Sequence, residues 1–223
     1  RKKREFLRQR FFQQINRVRM ENLRSRISPH FTFNVLGREI NQFNGSEEVK
    51  HNLMELVKYL RRSLELTEKL SVSLQDELDF VRTYIELERG RVGEDFVATV
   101  TVEDGLDATR IMIPSMIVQI PVENAIKHGL AGKDGKKELS VYVSRETNGI
   151  RITVTDNGRG YLPQVVSATR GTGTGLKVLY QTIQLLNTKN KSDKIRFDIT
   201  NRSDGQTGTE VSVYIPFRFS YDL

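Results

Sequence analysis

The spacing of apolar residues changes near residue 95, and that change limits the architectures open to the chain. Before it, Val49, Leu53, Leu56, Val57, Leu60 and Leu64 recur every three or four positions, as do Leu74, Leu78, Val81, Ile85 and Leu87. That period gives a helix one apolar stripe. After it, Phe96-Val97-Ala98-Thr99-Val100-Thr101-Val102 is β-branched and alternating, the pattern of a half-buried strand. Further strands are predicted at Leu139–Val143, Ile150–Val154, Ile195–Ile199 and Thr209–Ile215, with Asn148-Gly149 as a hairpin turn. Helices are predicted over 47–66, 74–89 and 175–187, and Ser73 has the spacing to Asp76 of a helix N-cap. The expected fold is α+β. A helical region fills residues 1–92, and residues 93–223 form an α/β sandwich whose mixed sheet is covered by helices on one face.

Composition removes several function classes. Cysteine is absent, so there is no disulfide framework and no thiolate metal site. No apolar run approaches the roughly 18 residues that span a bilayer. The net charge of +7 is concentrated at the start, where Arg1, Lys2, Lys3, Arg4, Arg8, Arg10, Arg17, Arg19, Arg24 and Arg26 lie within one stretch. A helix-turn-helix or RRM pattern is missing, so a nucleic-acid role is not expected. A chain that opens on Arg1 with this cluster is expected to be a fragment that follows a transmembrane region, on the cytoplasmic side.

Residues 5–27 keep a helical rhythm through Leu7, Phe11, Ile15, Val18, Leu23 and Ile27. So polar a helix needs a partner, and a second copy of the chain is the expected one. Pro29 then interrupts it, and His30 follows, with Asn34 one turn later on the same face. Alone, His30 reads as a histidine in a proline-kinked core helix.

Three later segments carry chemistry. Val118–Leu130 reads as a helix with Asn124, Lys127 and His128 at i, i+3 and i+4, hence on one face. An amide oxygen, an ammonium and an imidazole together suit a magnesium ion and phosphate oxygens, and Gly129 reads as the helix stop. Asp156-Asn157-Gly158-Arg159-Gly160 follows a strand, so a carboxylate there can accept from an exocyclic amine while glycines admit a planar ring. Gly171-Thr172-Gly173-Thr174-Gly175 leads into a helix, whose first N–H groups suit an anion. It lacks the ending of a Walker A loop. Gly208-Thr209 before the last strand is a weaker fourth element.

The ordered series resembles the N, G1 and G2 boxes of the GHKL (Bergerat-fold) ATP-binding superfamily. Ser28-Pro29-His30-Phe31-Thr32-Phe33-Asn34 resembles the Asn-Pro-His-Phe-Leu-Phe-Asn phosphoacceptor motif of LytS/YehU-type sensor histidine kinases. Leu74-Gln75-Asp76-Glu77-Leu78 through Tyr84-Ile85-Glu86-Leu87-Glu88 is similar to that family's linking helix. The resemblance covers about residues 20–217. It implies a kinase that uses ATP and Mg²⁺, phosphorylates His30 and passes the phosphoryl group to an aspartate of a response-regulator receiver domain. It implies a homodimer through the N-terminal helices, in the cytoplasmic part of a bacterial inner-membrane protein.

By the same resemblance Asn124 holds the metal, Lys127 and His128 lie near the phosphates, and Asp156 takes the adenine amine beside Gly158 and Gly160. Gly173 and Gly175 flank the triphosphate, and Thr209 supports the adenine pocket. Asn34 orients the His30 ring, and Glu123 is the family's residue before the metal asparagine, although it projects about 100° away from it. The departures are Ser28, Thr32, a proline displaced to position 121, and Arg89-Gly90-Arg91-Val92 at the end of the linking helix. Two alternatives stand beside the kinase: a non-catalytic nucleotide-binding dimeric adaptor, and a GHKL-type ATPase. The ATPase needs a carboxylate one turn before Asn124, where this chain has Ile120.

Overall fold

The computed structural model describes residues 47–161, 174–188, 190 and 192–221. The helix expected at 5–27, the His30–Asn34 segment, the turn at 41–46 and Gly171–Gly173 lie outside the described residues. The chain runs through α1 (Glu47–Glu68), β1 (Ser71–Ser73), α2 (Leu74–Val92), β2 (Phe96–Val102) and β3 (Met112–Pro114). It continues through α3 (Gln119–Asn124), a π-helical turn (Ala125–Gly129), β4 (Lys137–Glu146), β5 (Gly149–Asp156), α4 (Thr174–Asn187), β6 (Arg196–Asn201) and β7 (Thr209–Pro216).

Five strands form one mixed sheet in the order β2-β4-β5-β7-β6. The β2–β4 pair is parallel and the other three are antiparallel. A parallel pair needs a long crossover, and β3, α3 and the π turn supply it. This connection therefore delivers the Asn124 segment to one face of the sheet. Alternation along the strands sends Leu139, Val141, Val143, Ile150, Ile152, Val154, Val211, Val213 and Ile215 into the core. Leu78, Val81, Tyr84 and Ile85 of α2, Val122 of α3 and Leu179, Ile183 and Leu186 of α4 join the same cluster. The opposite sheet face leaves Val97 and Tyr142 exposed, so helices cover one face only. The expected α+β sandwich is the one observed.

The start of α2 follows local rules. Ser73 adopts extended backbone, its Oγ accepts the Asp76 N–H at 3.0 Å, and Asp76 and Glu77 stand in the first turn. A hydroxyl cap and early acidic groups both stabilise a helix N-terminus. Gly93 closes the helix at φ 113°, donating to the Arg89 carbonyl.

The hairpin turn differs from the expectation. Its two loop residues are Thr147 and Asn148, because Glu146 pairs with Gly149 across the ladder. Gly149 is therefore a strand residue, and its backbone is not left-handed. An added Cβ there would lie 2.3 Å from the Ile215 carbonyl oxygen, so the glycine is set by the approach of β7. Gly149→Ala is expected to lower stability by about 1–3 kcal/mol through this overpacking. Urea unfolding measures it, and an unchanged midpoint would contradict the account.

Candidate nucleotide site

The segment from Gln119 to Gly129 crosses from buried to accessible. Gln119, Ile120, Val122 and Glu123 are buried, Asn124 and Lys127 are half-buried, and His128 is exposed. The helix does not stay α-helical. Leu130 donates to the Ala125 carbonyl at 2.8 Å, an i to i+5 bond that closes a π turn. Such turns add a residue to the repeat and recur at functional sites. The wider turn brings the i+4 residue His128 closer to alignment with Asn124 than an α-helix does.

Asn124 donates its Nδ2 to the Ile120 carbonyl at 2.9 Å. Only the amide nitrogen can serve that acceptor, so the amide's orientation is settled. Among the described residues nothing donates to Asn124 Oδ1, which stays available as an oxygen ligand. The expected magnesium ligand therefore fits a hard cation in donor type. Lys127 Nζ lies 3.4 Å from Glu123 Oε2, and Glu123 Oε1 accepts from Gln119 Nε2 at 3.1 Å. Glu123 thus faces inward, along the helix side that carries Gln119 and Lys127. The pKa of His128 is lowered by loss of solvent and then by the charges of Lys127 and Arg159. It is neutral near pH 7.

Asp156 ends β5 and is 4% exposed. Its Oδ1 accepts the Gly158 N–H at 2.8 Å and the Thr209 N–H at 3.4 Å. Burial raises its pKa, opposed by those backbone donors, by the Thr209 side chain and by Arg202. Three glycines make room for it. A Cβ on Gly129 would meet the carboxylate at 2.9 Å, one on Gly158 would meet the Gly129 carbonyl oxygen at 2.2 Å, and one on Gly208 would collide with the Asp156 carbonyl. The helical segment ends at Gly129 as expected, but Gly129 lacks the left-handed backbone of a glycine stop. It is glycine because Asp156 packs against it.

Gly160 has φ +86° and sits against Asn201, whose Oδ1 accepts the Tyr161 N–H at 2.6 Å. Asn157 turns back to β4, accepting the Glu138 N–H at 2.8 Å. The structure therefore brings Asn124, Lys127 and His128 onto one short segment, and joins it to Asp156, Gly158 and Thr209 through Gly129. Gly175 lies in the first turn of α4. His30, Asn34 and Gly173 lie outside the described residues. Gly208 was the weak element of the sequence and is a tight packing position here. Gln119 carried no sequence signal of its own, being one polar residue within an apolar stretch, and Glu77 stands beside Asp76 in the first turn of α2, where acidic residues ordinarily serve that helix's own N-terminus.

The chain matches the family model "Histidine kinase" over residues 18–96. It matches "Histidine kinase-, DNA gyrase B-, and HSP90-like ATPase" over residues 109–218. The chain belongs to the sensor histidine kinases. It is 30% identical to the sensor histidine kinase/phosphatase LytS of Staphylococcus aureus (strain MRSA252), over 89% of this chain. It is 28% identical to the sensor histidine kinase YpdA of Escherichia coli (strain K12), over 90% of this chain. The chain spans 34% of the length of each. The histidine kinase domain of the Erythrobacter litoralis EL346 blue-light activated histidine kinase superposes with a TM-score of 0.50 at 15% identity, covering 92% of this chain and 94% of that one. This likeness supports the fold, and the ATP-binding family is the one that the sequence resemblance implied.

The sign of the Asp156 shift gives a stability test for this domain. A carboxyl whose folded pKa lies above its unfolded value of about 3.9 adds stability below that value and loses it as pH rises through the folded pKa. Asp156→Asn keeps an oxygen acceptor and removes the charge. Relative to the variant, the wild type is expected to lose stability between pH 4 and pH 7, read from urea midpoints across that range. Parallel pH profiles would show that the carboxyl is not shifted.

Proposed function

We propose that this chain is the kinase core of a two-component sensor histidine kinase, which binds Mg·ATP in the site described and phosphorylates His30. The observation that carries the reading is the pairing of two fixed groups. Asp156 is a buried acceptor at a strand end, suited to the adenine amine, and Asn124 presents an amide oxygen suited to Mg²⁺. Gly158, Gly160 and Thr209 belong to the adenine end of the site. Lys127, His128, Gly173 and Gly175 belong to the phosphate end. A bound Mg²⁺ would neutralise phosphate charge there.

In the reaction a neutral His30 imidazole nitrogen forms a bond to the γ-phosphorus while the bond to the β-bridging oxygen breaks and ADP leaves. Phosphoryl transfer of this kind relies on positioning and charge neutralisation. Activity falls as acid protonates the His30 ring, because the protonated ring is no nucleophile. Asn34 orients the ring, and the phosphoryl group then moves to an aspartate of a response-regulator receiver domain. Residues 1–92 supply the homodimer contact and the phosphoacceptor, and residues 93–223 the catalytic domain. We place the chain on the cytoplasmic side of an inner membrane.

A hydrolytic ATPase is disfavoured by the surroundings of Asn124. One turn earlier stands Ile120, buried and apolar, and the neighbouring Glu123 is engaged by Lys127 and Gln119. We therefore do not assign Glu123 the activation of water. Its place in the reaction is to hold Lys127 at the phosphate end.

Incubation with Mg²⁺ and γ-labelled ATP tests the proposal. Acid-labile, base-stable label is expected on the wild type and none on His30→Gln. Label that persists in the variant removes His30 as acceptor, and ATP binding without any label favours the adaptor.

The depressed pKa of His128 gives a second test of the phosphate end. A triphosphate placed near a neutral imidazole favours its protonated form, so binding takes up a proton near pH 6.5. Calorimetry of ATP binding in buffers of different ionisation enthalpy is expected to show that uptake, and His128→Gln to abolish it. Equal uptake in both would place the phosphates elsewhere.

A further inference from the structure

Three backbone N–H groups at the entry to α3 point to one side chain on another helix. Glu77 of α2 is fully buried. Its Oε2 accepts the Met116 N–H at 2.9 Å, and its Oε1 accepts the N–H groups of Val118 and Gln119 at 3.1 Å each. Met116 is the one non-glycine residue with positive φ (70°) among the described residues. The chain turns sharply there and leaves the N–H groups of Met116, Val118 and Gln119 without a helix partner, while Ile117 donates to the Pro114 carbonyl. Met116, Val118 and Gln119 are themselves buried, so water does not replace the carboxylate. A carboxylate serves all three donors and favours the positive end of the helix.

We propose that Glu77 is a positioning residue of the nucleotide site: it fixes the start of the helix that carries Asn124, Lys127 and His128. This rests on the nucleotide-binding reading above. Asn124 lies five residues past Gln119, about 7.5 Å along the helix axis. A shift at the capped start is therefore carried to the metal and phosphate ligands by a rigid segment. A second link runs beside it. Tyr59 of α1 stacks on Phe80 of α2 at 4.9 Å, and Gln119 Nε2 reaches the Tyr59 hydroxyl at 3.5 Å and Glu123 at 3.1 Å. Asp156 takes its place from β5 and from the glycines around it. Glu77 thus bears chiefly on the phosphate end of the site, because Asp156 is held by β5 and by the Gly158 and Thr209 N–H groups besides its contact with Gly129.

That separation gives a readout that a merely structural role does not move. Glu77→Gln keeps the shape but turns an amide N–H₂ toward backbone donors, leaving one or two of them without an acceptor. Affinity for Mg·ATP, measured by calorimetry, is expected to fall about tenfold or more, as when a supporting partner of a metal ligand is lost. Affinity for adenosine, measured by NMR titration of the same protein, is expected to stay within about twofold of wild type. Equal loss for both ligands, or no loss for either, overturns the inference while the nucleotide-binding reading stands. A wild type that binds neither ligand overturns that reading, and the inference with it.

Amide hydrogen exchange of the wild type keeps the test open if the variant does not fold. The amides of Met116, Val118 and Gln119 are expected to exchange with the same opening free energy as those of α2 around Glu77. Fast exchange at these three beside a protected α2 overturns the inference.

Discussion

Asp156 is the point on which the rest of the site closes. Placing a carboxylate at 4% exposure costs several kcal/mol unless donors replace the lost water. Two backbone N–H groups do so here, one from Gly158 and one from Thr209, and hydrogen bonds to a charged group contribute about 1.5–3 kcal/mol each. The two sides are close in size, and the raised pKa says that burial keeps a margin over the donors. The donors come from different segments, and a third segment, the end of the π turn, presses Gly129 on the carboxylate. Three loops thus converge on one side chain, and each meets it with a glycine. The absent Cβ atoms are as much a part of the site as the carboxylate is.

The same convergence explains how far the site could be read in advance. Features set by neighbours in the chain were visible: the Ser73 cap, the strand alternation, and the spacing of Asn124, Lys127 and His128. Features set across the fold were not. Gly149 looked like a turn residue because Asn-Gly so often is, yet Ile215 on a different strand decides that position. Gly129 looked like a helix stop because it follows the last polar residue of a stripe, yet Asp156 decides it. The π turn was hidden for a related reason, since one extra residue in a repeat leaves no mark on a segment as short as Ala125–Gly129. Glu77 was hidden most deeply. Early acidic residues in a helix ordinarily serve that helix's own N-terminus, and this one serves a second helix some forty positions later.

The helices and the sheet therefore hold opposite ends of the site by different means. The Asp156 end belongs to the middle of a five-stranded sheet, where β5 is paired on both sides over most of its length. The Asn124 end belongs to a short helix of six residues and one π turn, too short to hold itself by its own hydrogen bonds. Its place comes from burial of Ile120 and Val122 below, and from Glu77 and Gln119 at its start. A site built this way has one end as rigid as the core and another end as rigid as the contact between α2 and α3.

The division of labour also bears on what the site leaves out. The polar side chains of α3 and the π turn are tied within that segment: Asn124 to the Ile120 carbonyl, and Glu123 to both Lys127 and Gln119. Lys127 and Glu123 neutralise each other at a half-buried position, which keeps a basic carboxylate from the space that Asn124 faces. Among the described residues, then, this end offers the Asn124 amide oxygen, a neutral imidazole and an ammonium paired with Glu123, and no free carboxylate that could draw a proton from water. An anionic substrate held there would be stabilised and left unreacted until a nucleophile arrived from another part of the molecule. Holding a ligand and supplying a group that reacts with it are separate tasks in such an arrangement.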